Sequence, residues 1–119
     1  MNSTLDAEAA ELIARSGMSS FTPVAKSYVA LPSPSQETVV VPVNHIEVFE
    51  RGPGVANFNL ERALAVLLGI RNGSALPPIE VHKLEQQDRY KLYDGFHRYH
   101  LSRILGFCCI PIVVVSPPY

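Results

Sequence analysis

An α+β fold, with a small sheet packed by helices, is what the residue pattern of this 119-residue chain predicts. Three observations carry that expectation. Residues 79–84 and 90–93 are short strand-like runs on either side of the polar link 85–89, the pattern of a β-hairpin. Residues 60–73 set Leu60, Ala63, Leu64, Leu67 and Leu68 at helical spacing. Residues 90–115, YKLYDGFHRYHLSRILGFCCIPIVVV, then run strand, glycine turn, helix, helix stop and second strand without interruption.

Taken in order, Ser3 or Thr4 caps a first helix that reaches about Arg15, with acids in its first turn, a basic residue in its last and Gly17 as its stop. This helix reads as peripheral. Residues 20–37 hold Pro23, Pro32, Pro34 and several serines, which deny regular structure and read as a linker or strap. The expected division is therefore an arm over 1–37 and a folded domain over 38–119. Residues 38–43 are β-branched and strand-like, and Pro42, lacking an N–H, suits an edge position. The loop Glu50-Arg51-Gly52-Pro53-Gly54 follows, then Asn57 or Asn59 as cap for the helix that Asn72-Gly73 ends. The loop is not a phosphate-binding Walker loop, since no Gly-Lys-Ser/Thr follows it.

Composition narrows the function classes. A hydrophobic content of 47% in 119 residues supports one modest core. A formal charge of −1 gives no global basic field to hold nucleic acid, so a contact with DNA needs a local patch. No apolar run of membrane-spanning length is present, and Asp6, Glu8 and Glu11 replace the basic-then-apolar pattern of a signal peptide, so a cytoplasmic protein without membrane insertion is expected. The only cysteines, Cys108 and Cys109, are adjacent, which suits neither a secreted disulfide scaffold nor a zinc cluster; they read as small buried residues before a strand.

The chemistry concentrates at the turn Asp94-Gly95. A helix that opens there presents unpaired backbone N–H groups and the positive end of its dipole, which together favour phosphate. Asp94 reads as the N-cap, and Gly95 as the residue that lets a ligand approach the backbone. Arg98 offers a bidentate fork, and His97 a donor or a proton. On the helical wheel His97 shares a side with Leu101, Ile104 and Leu105, while Phe96, Tyr99, His100 and Arg103 lie opposite. His97 and His100 diverge by about 60°, which argues against a shared zinc. Candidate carboxylates for Mg²⁺ beside a phosphate are Asp94, Glu80 and Glu47.

The series strand, D-G-F-H-R, helix, L-G-F and I-P-I-V-V-V resembles the ParB/sulfiredoxin superfamily. The likeness extends upstream through VPVNHI at 41–46, the helix at 60–73 and the strand beginning P-P-I-E-V at 77–81, about two thirds of the chain. It implies a small mixed sheet packed with helices and a phosphate site at Gly95, Phe96, His97 and Arg98, with Arg51 and Asn59 bordering a nucleotide pocket. It further implies ATP or CTP with Mg²⁺ as ligand, Arg98, His97 and Asp94 as the catalytic candidates, and Asp94 and Glu80 as metal ligands. A sulfiredoxin carries cysteine where Phe96 stands, so the redox branch is not expected. No helix-turn-helix pattern follows before Tyr119, so centromere reading is not expected either. The resemblance is nearest to small plasmid fertility-inhibition proteins of the Osa type and to ParB-like nucleases. It implies ATP hydrolysis, DNA cleavage and interference with conjugative DNA transfer, with DNA or a secretion or conjugation protein as partner. The alternatives are a non-catalytic nucleotide-sensing interaction module and a small-molecule kinase of the same fold.

Overall fold

The computed structural model describes residues 3–48, 54–86 and 88–116. Helix α1 spans Ser3–Arg15 and stops at Gly17, whose φ of +73° lies in the left-handed region. Strand β1 (Val39–Pro42) is followed by a 3-10 turn (Val43–His45) and a two-residue strand β2 (Ile46–Glu47). The strand expected over 38–43 is thus the shorter Val39–Pro42, with the turn beginning at Val43 and the second strand lying beyond the expected range. Helix α2 (Leu60–Arg71), strands β3 (Ile79–Lys83) and β4 (Tyr90–Asp94), helix α3 (Phe96–Leu105) and strand β5 (Cys109–Val114) complete the chain.

The five strands form one mixed sheet in the order β1-β5-β3-β4-β2. β1 pairs antiparallel with β5, β5 parallel with β3, β3 antiparallel with β4, and β4 parallel with β2. Pro42 lies on edge strand β1, where its missing N–H costs no ladder bond. The two edges are joined by only the Val43–His45 turn. Laid flat, five strands would set the edges about 19 Å apart, whereas three residues of 3-10 rise advance roughly 6 Å. The sheet therefore curls until its edges approach each other.

The core runs through the whole described chain. Ile79, Val81, Ile110 and Ile112 from the central strands, and Leu67 and Leu101 from α2 and α3, have almost no exposure. Ala9, Leu12, Ile13 and Met18 belong to the same cluster, so the first helix is a packed layer and not a peripheral arm. It lies against α3 and α2, and Arg103 on α3 donates to Asp6 at 2.8 Å. The segment 20–37 is a strap, as its composition predicts: Ala30 bridges Leu76, Tyr28 is buried, and the Tyr28 hydroxyl donates to Pro77 O at 2.6 Å.

Two helix faces differ from the wheel. On α2 the buried residues are Ala63, Leu67 and Ile70, while Leu60 and Leu68 are about half exposed, because α3 and α1 pack against it along only a narrow stripe. On α3 Tyr99 and His100 are buried alongside His97 and Leu101, because α1 covers the side that the wheel leaves to solvent.

Candidate functional site

The β4–α3 junction is made by Gly95, which is the N-cap of α3 with φ +114°. A Cβ there would lie 2.7 Å from Ile79 Cγ2 and 3.1 Å from Arg98 Nη2. Glycine is thus demanded by backbone conformation and by the closeness of β3. Asp94 is not the N-cap: it is the last residue of β4, and the cap makes no side-chain hydrogen bond. Tyr99 N–H donates to Gly95 O at 2.9 Å, so the helical ladder starts one turn in. The first-turn N–H groups point along the axis with no intrahelical carbonyl to receive them.

That helix start opens on a cleft of about 350 Å³ lined by Arg62, Ala65, Val66, Asp94, Gly95, Phe96, His97 and Arg98. Five of the sequence-predicted residues therefore meet at one place. Arg62, from the first turn of α2, was not anticipated. The signal was present, since Arg62 and Val66 stand four apart on one helix face, but the sequence reading followed only the apolar stripe.

Arg98 is the central cation, with its side chain 20% exposed. Its Nη2 donates to Pro78 O at 3.4 Å and lies 3.9 Å from Asp94 Oδ2, while its buried Nε has no hydrogen-bond partner among the described residues. Both contacts are long beside the ~2.7–2.9 Å of a charge-assisted bond, and with Tyr28 as a further neighbour the Nε donor still goes unused. The strap reaches it from the other side. Burial pushes the Tyr28 phenol up to about 12, against the opposing pull of the neighbouring Arg98 guanidinium.

His97 faces α2. Its Nε2 accepts a 2.8 Å bond from the Asn59 N–H, which leaves the neutral ring with its proton on Nδ1. Asn59 Oδ1 in turn accepts from Arg62 N–H at 3.0 Å and caps α2. Asn59 therefore joins the site through His97 and through Arg62, and does not itself line the cleft. Phe96 packs against His100 with ring centroids 4.5 Å apart and against Phe58 at 5.7 Å. Arg103 donates to His100 Nδ1 at 3.0 Å, so His100 belongs to the α1–α3 contact.

Glu80 is the cross-strand partner of Asp94, beside a bulge in the β3–β4 ladder, and lies outside the cleft lining. Glu47 is paired with Arg89 at 3.3 Å on the edge strand. Arg51 lies outside the described residues. Among those described, no group of three or more His, Cys, Asp or Glu side chains is placed to hold a metal ion by itself. Asp94 with Glu80 fits Mg²⁺ only in the mode where one or two carboxylates share the ion with phosphate oxygens.

No protein-family model matches the chain, and no curated protein matches it significantly. Solved structures do. C-terminally truncated chromosome-partitioning protein ParB from Caulobacter crescentus, complexed with CTP-gamma-S, aligns over 67% of this chain at 21% identity and a TM-score of 0.52. Sulfiredoxin from Arabidopsis thaliana aligns over 67% at 21% identity and a TM-score of 0.53. The alignment covers 44% of that ParB chain and 85% of the sulfiredoxin. With a curled mixed sheet, three helices and a strand–glycine–helix junction at its centre, the chain has the ParB/sulfiredoxin-like fold.

Proposed function

We propose that the cleft at the start of α3 binds the phosphates of a nucleoside triphosphate, ATP or CTP. The observation that carries the reading is Arg98: a largely buried guanidinium with two long contacts, the Tyr28 hydroxyl beside it and an unpartnered Nε, standing at a helix N-terminus that has no side-chain cap. An anion in the cleft would meet the Arg98 fork, the helix dipole and Arg62 together. Its volume of about 350 Å³ is at the low end for a ligand pocket, which suits a phosphate tail with the base extending outward. That the aligned ParB structure is a complex with CTP-gamma-S supports the assignment. Asp94, with Glu80 as second carboxylate, would hold Mg²⁺ beside the phosphates, and the ion would supply charge neutralisation.

Within this reading Arg98 binds and neutralises phosphate, and Arg62 adds a second cation from α2. His97 positions, holding the α2 N-terminus against the cleft through Asn59. For hydrolysis, Arg98 would offset charge developing on the transferred phosphoryl group and Asp94 would orient the metal. DNA cleavage would apply the same groups to a phosphodiester, and interference with DNA transfer would be the consequence in a cell. A second reading is favoured by one observation, that His97 Nε2 is already committed to Asn59. In it the nucleotide is held without turnover, and occupancy at Arg98 is passed to Tyr28 and the strap, where Val24, Val29 and Leu31 are exposed for a partner.

Calorimetry with ATP and with CTP in the presence of Mg²⁺, followed by phosphate release on the same samples, tests both. Arg62→Ala, at an exposed side chain, should weaken triphosphate binding roughly 10-fold without changing stability, the worth of one charge-assisted contact. Arg98→Ala should weaken it further. Binding with release identifies a nucleotide hydrolase, and binding without release identifies the sensing module. Unchanged affinity in both variants overturns the site.

A further inference from the structure

Cys108 and Cys109 stand where β5 begins, just after α3 is stopped at Gly106. Buried apolar residues are expected there, yet Cys108 is exposed and Cys109 half-buried, and both are free thiols. Their Sγ atoms lie 3.6 Å apart. This closeness is not automatic, because neighbouring residues in extended chain point to opposite faces. It is set by the backbone: Cys108 O accepts from Val43 N–H and Cys109 N–H donates to Lys26 O, each at 3.0 Å. The 3-10 turn thus holds the pair from one side and the strap from the other.

An internal disulfide fits this arrangement poorly. Adjacent Cα atoms are about 3.8 Å apart, below the roughly 4.4–6.8 Å that disulfides span, and closure to a ~2.05 Å bond would disturb both pinned peptide groups. Chelation leaves the sulfurs where they are. Two sulfurs 3.6 Å apart, each bonded to one centre at ~2.3 Å, subtend about 103°. That is the bite of a pyramidal or tetrahedral centre. Tetrahedral zinc asks for four ligands, and no group of three His, Cys, Asp or Glu is present among the described residues. A pyramidal trivalent centre needs only three bonds, one of which it brings with it.

We propose that Cys108 and Cys109 form a bidentate capture site for a soft, thiophilic trivalent arsenical. The step is a double exchange without redox change: R–As(OH)₂ and two thiols give R–As(S–Cys)₂ and two waters, two As–O bonds being replaced by two As–S bonds. No standing thiolate is required, in keeping with burial and the Cys108 contact holding the Cys109 thiol above its ordinary range. The site is independent of the phosphate cleft.

Phenylarsine oxide added to the full chain is the test, read by intact mass, thiol titration and competition with excess β-mercaptoethanol. One probe should bind per chain, consume both thiols, survive the monothiol and leave with dithiothreitol. Cys108→Ser and Cys109→Ser should each lower affinity about 100-fold or more, the gain that linking two donors confers. Two probes per chain, serine variants within a few-fold of wild type, or zinc captured one-to-one at equal affinity would each overturn the assignment. The wild-type stoichiometry decides the matter even if a variant folds poorly.

Discussion

Gly95 has the tightest surroundings of the described glycines. It stands at φ +114° with Ile79 Cγ2 2.7 Å from where a Cβ would be, so an alanine adds backbone strain and forces β3 and α3 apart. Gly95→Ala should cost about 2–4 kcal/mol, strain and overpacking combined, read as a lower urea midpoint with unchanged slope. Asn59 works in both directions, its side chain capping α2 and its N–H donating to His97. Asn59→Ala should cost about 1 kcal/mol. His97→Ala strips the acceptor from the Asn59 N–H and should cost about 1–3 kcal/mol. The pair should couple in a double-mutant cycle, since both changes act on the α2 N-terminus; strictly additive losses would show that the bond does not transmit between the helices.

At the scale of elements, the contact between α1 and α3 is partly ionic and therefore pH-dependent. The hydrogen bond from Arg103 holds the Asp6 carboxyl below its ordinary 3.8, against the opposing push of burial. A depressed carboxylate means that the unfolded chain binds the proton first. The contribution is thus fully present above about pH 4 and disappears as pH falls through the lower folded value. Both side chains are partly exposed, 29% for Arg103 and 42% for Asp6, so solvent screening keeps the pair to roughly 1 kcal/mol or less. Asp6→Asn should lower stability by that amount at pH 7 and by clearly less at pH 3, as urea titrations at the two values would show. An equal gap at both values would mean that the pair is without ionic weight.

For the whole molecule, the consequence of the packing is that residues 3–37 and 38–116 share one core. Ala9, Leu12, Ile13 and Met18 are each at most 8% exposed. Removing residues 1–17 would uncover α3 and leave His100 and Tyr99 facing water. The truncated chain should lose its cooperative thermal transition, because several buried side chains at about 1.5–3 kcal/mol each exceed the margin of a small domain. Calorimetry reads this directly; a retained sharp transition would restore α1 to the status of a dispensable arm.

Local pattern was enough for α1, for the β3–β4 hairpin, for the β4–Gly95–α3–β5 run and for the edge character of Pro42. In these segments the signals are caps, glycines, prolines and period, which act within a few residues. The cluster Asp94, Gly95, Phe96, His97 and Arg98 was legible for the same reason, being one turn of chain. Arg62 was only partly so: its spacing from Val66 puts the two on one face of α2, but the pattern of α2 alone does not say that this face meets a junction more than thirty residues away. Nor could the chain alone show that Gly95 is fixed by Ile79, that His97 Nε2 belongs to Asn59, that Leu68 is exposed, or that the two cysteine sulfurs converge. Those facts arise from the curl of the sheet and the seating of α1 and the strap, where contacts between distant residues decide which of two locally equal faces is covered.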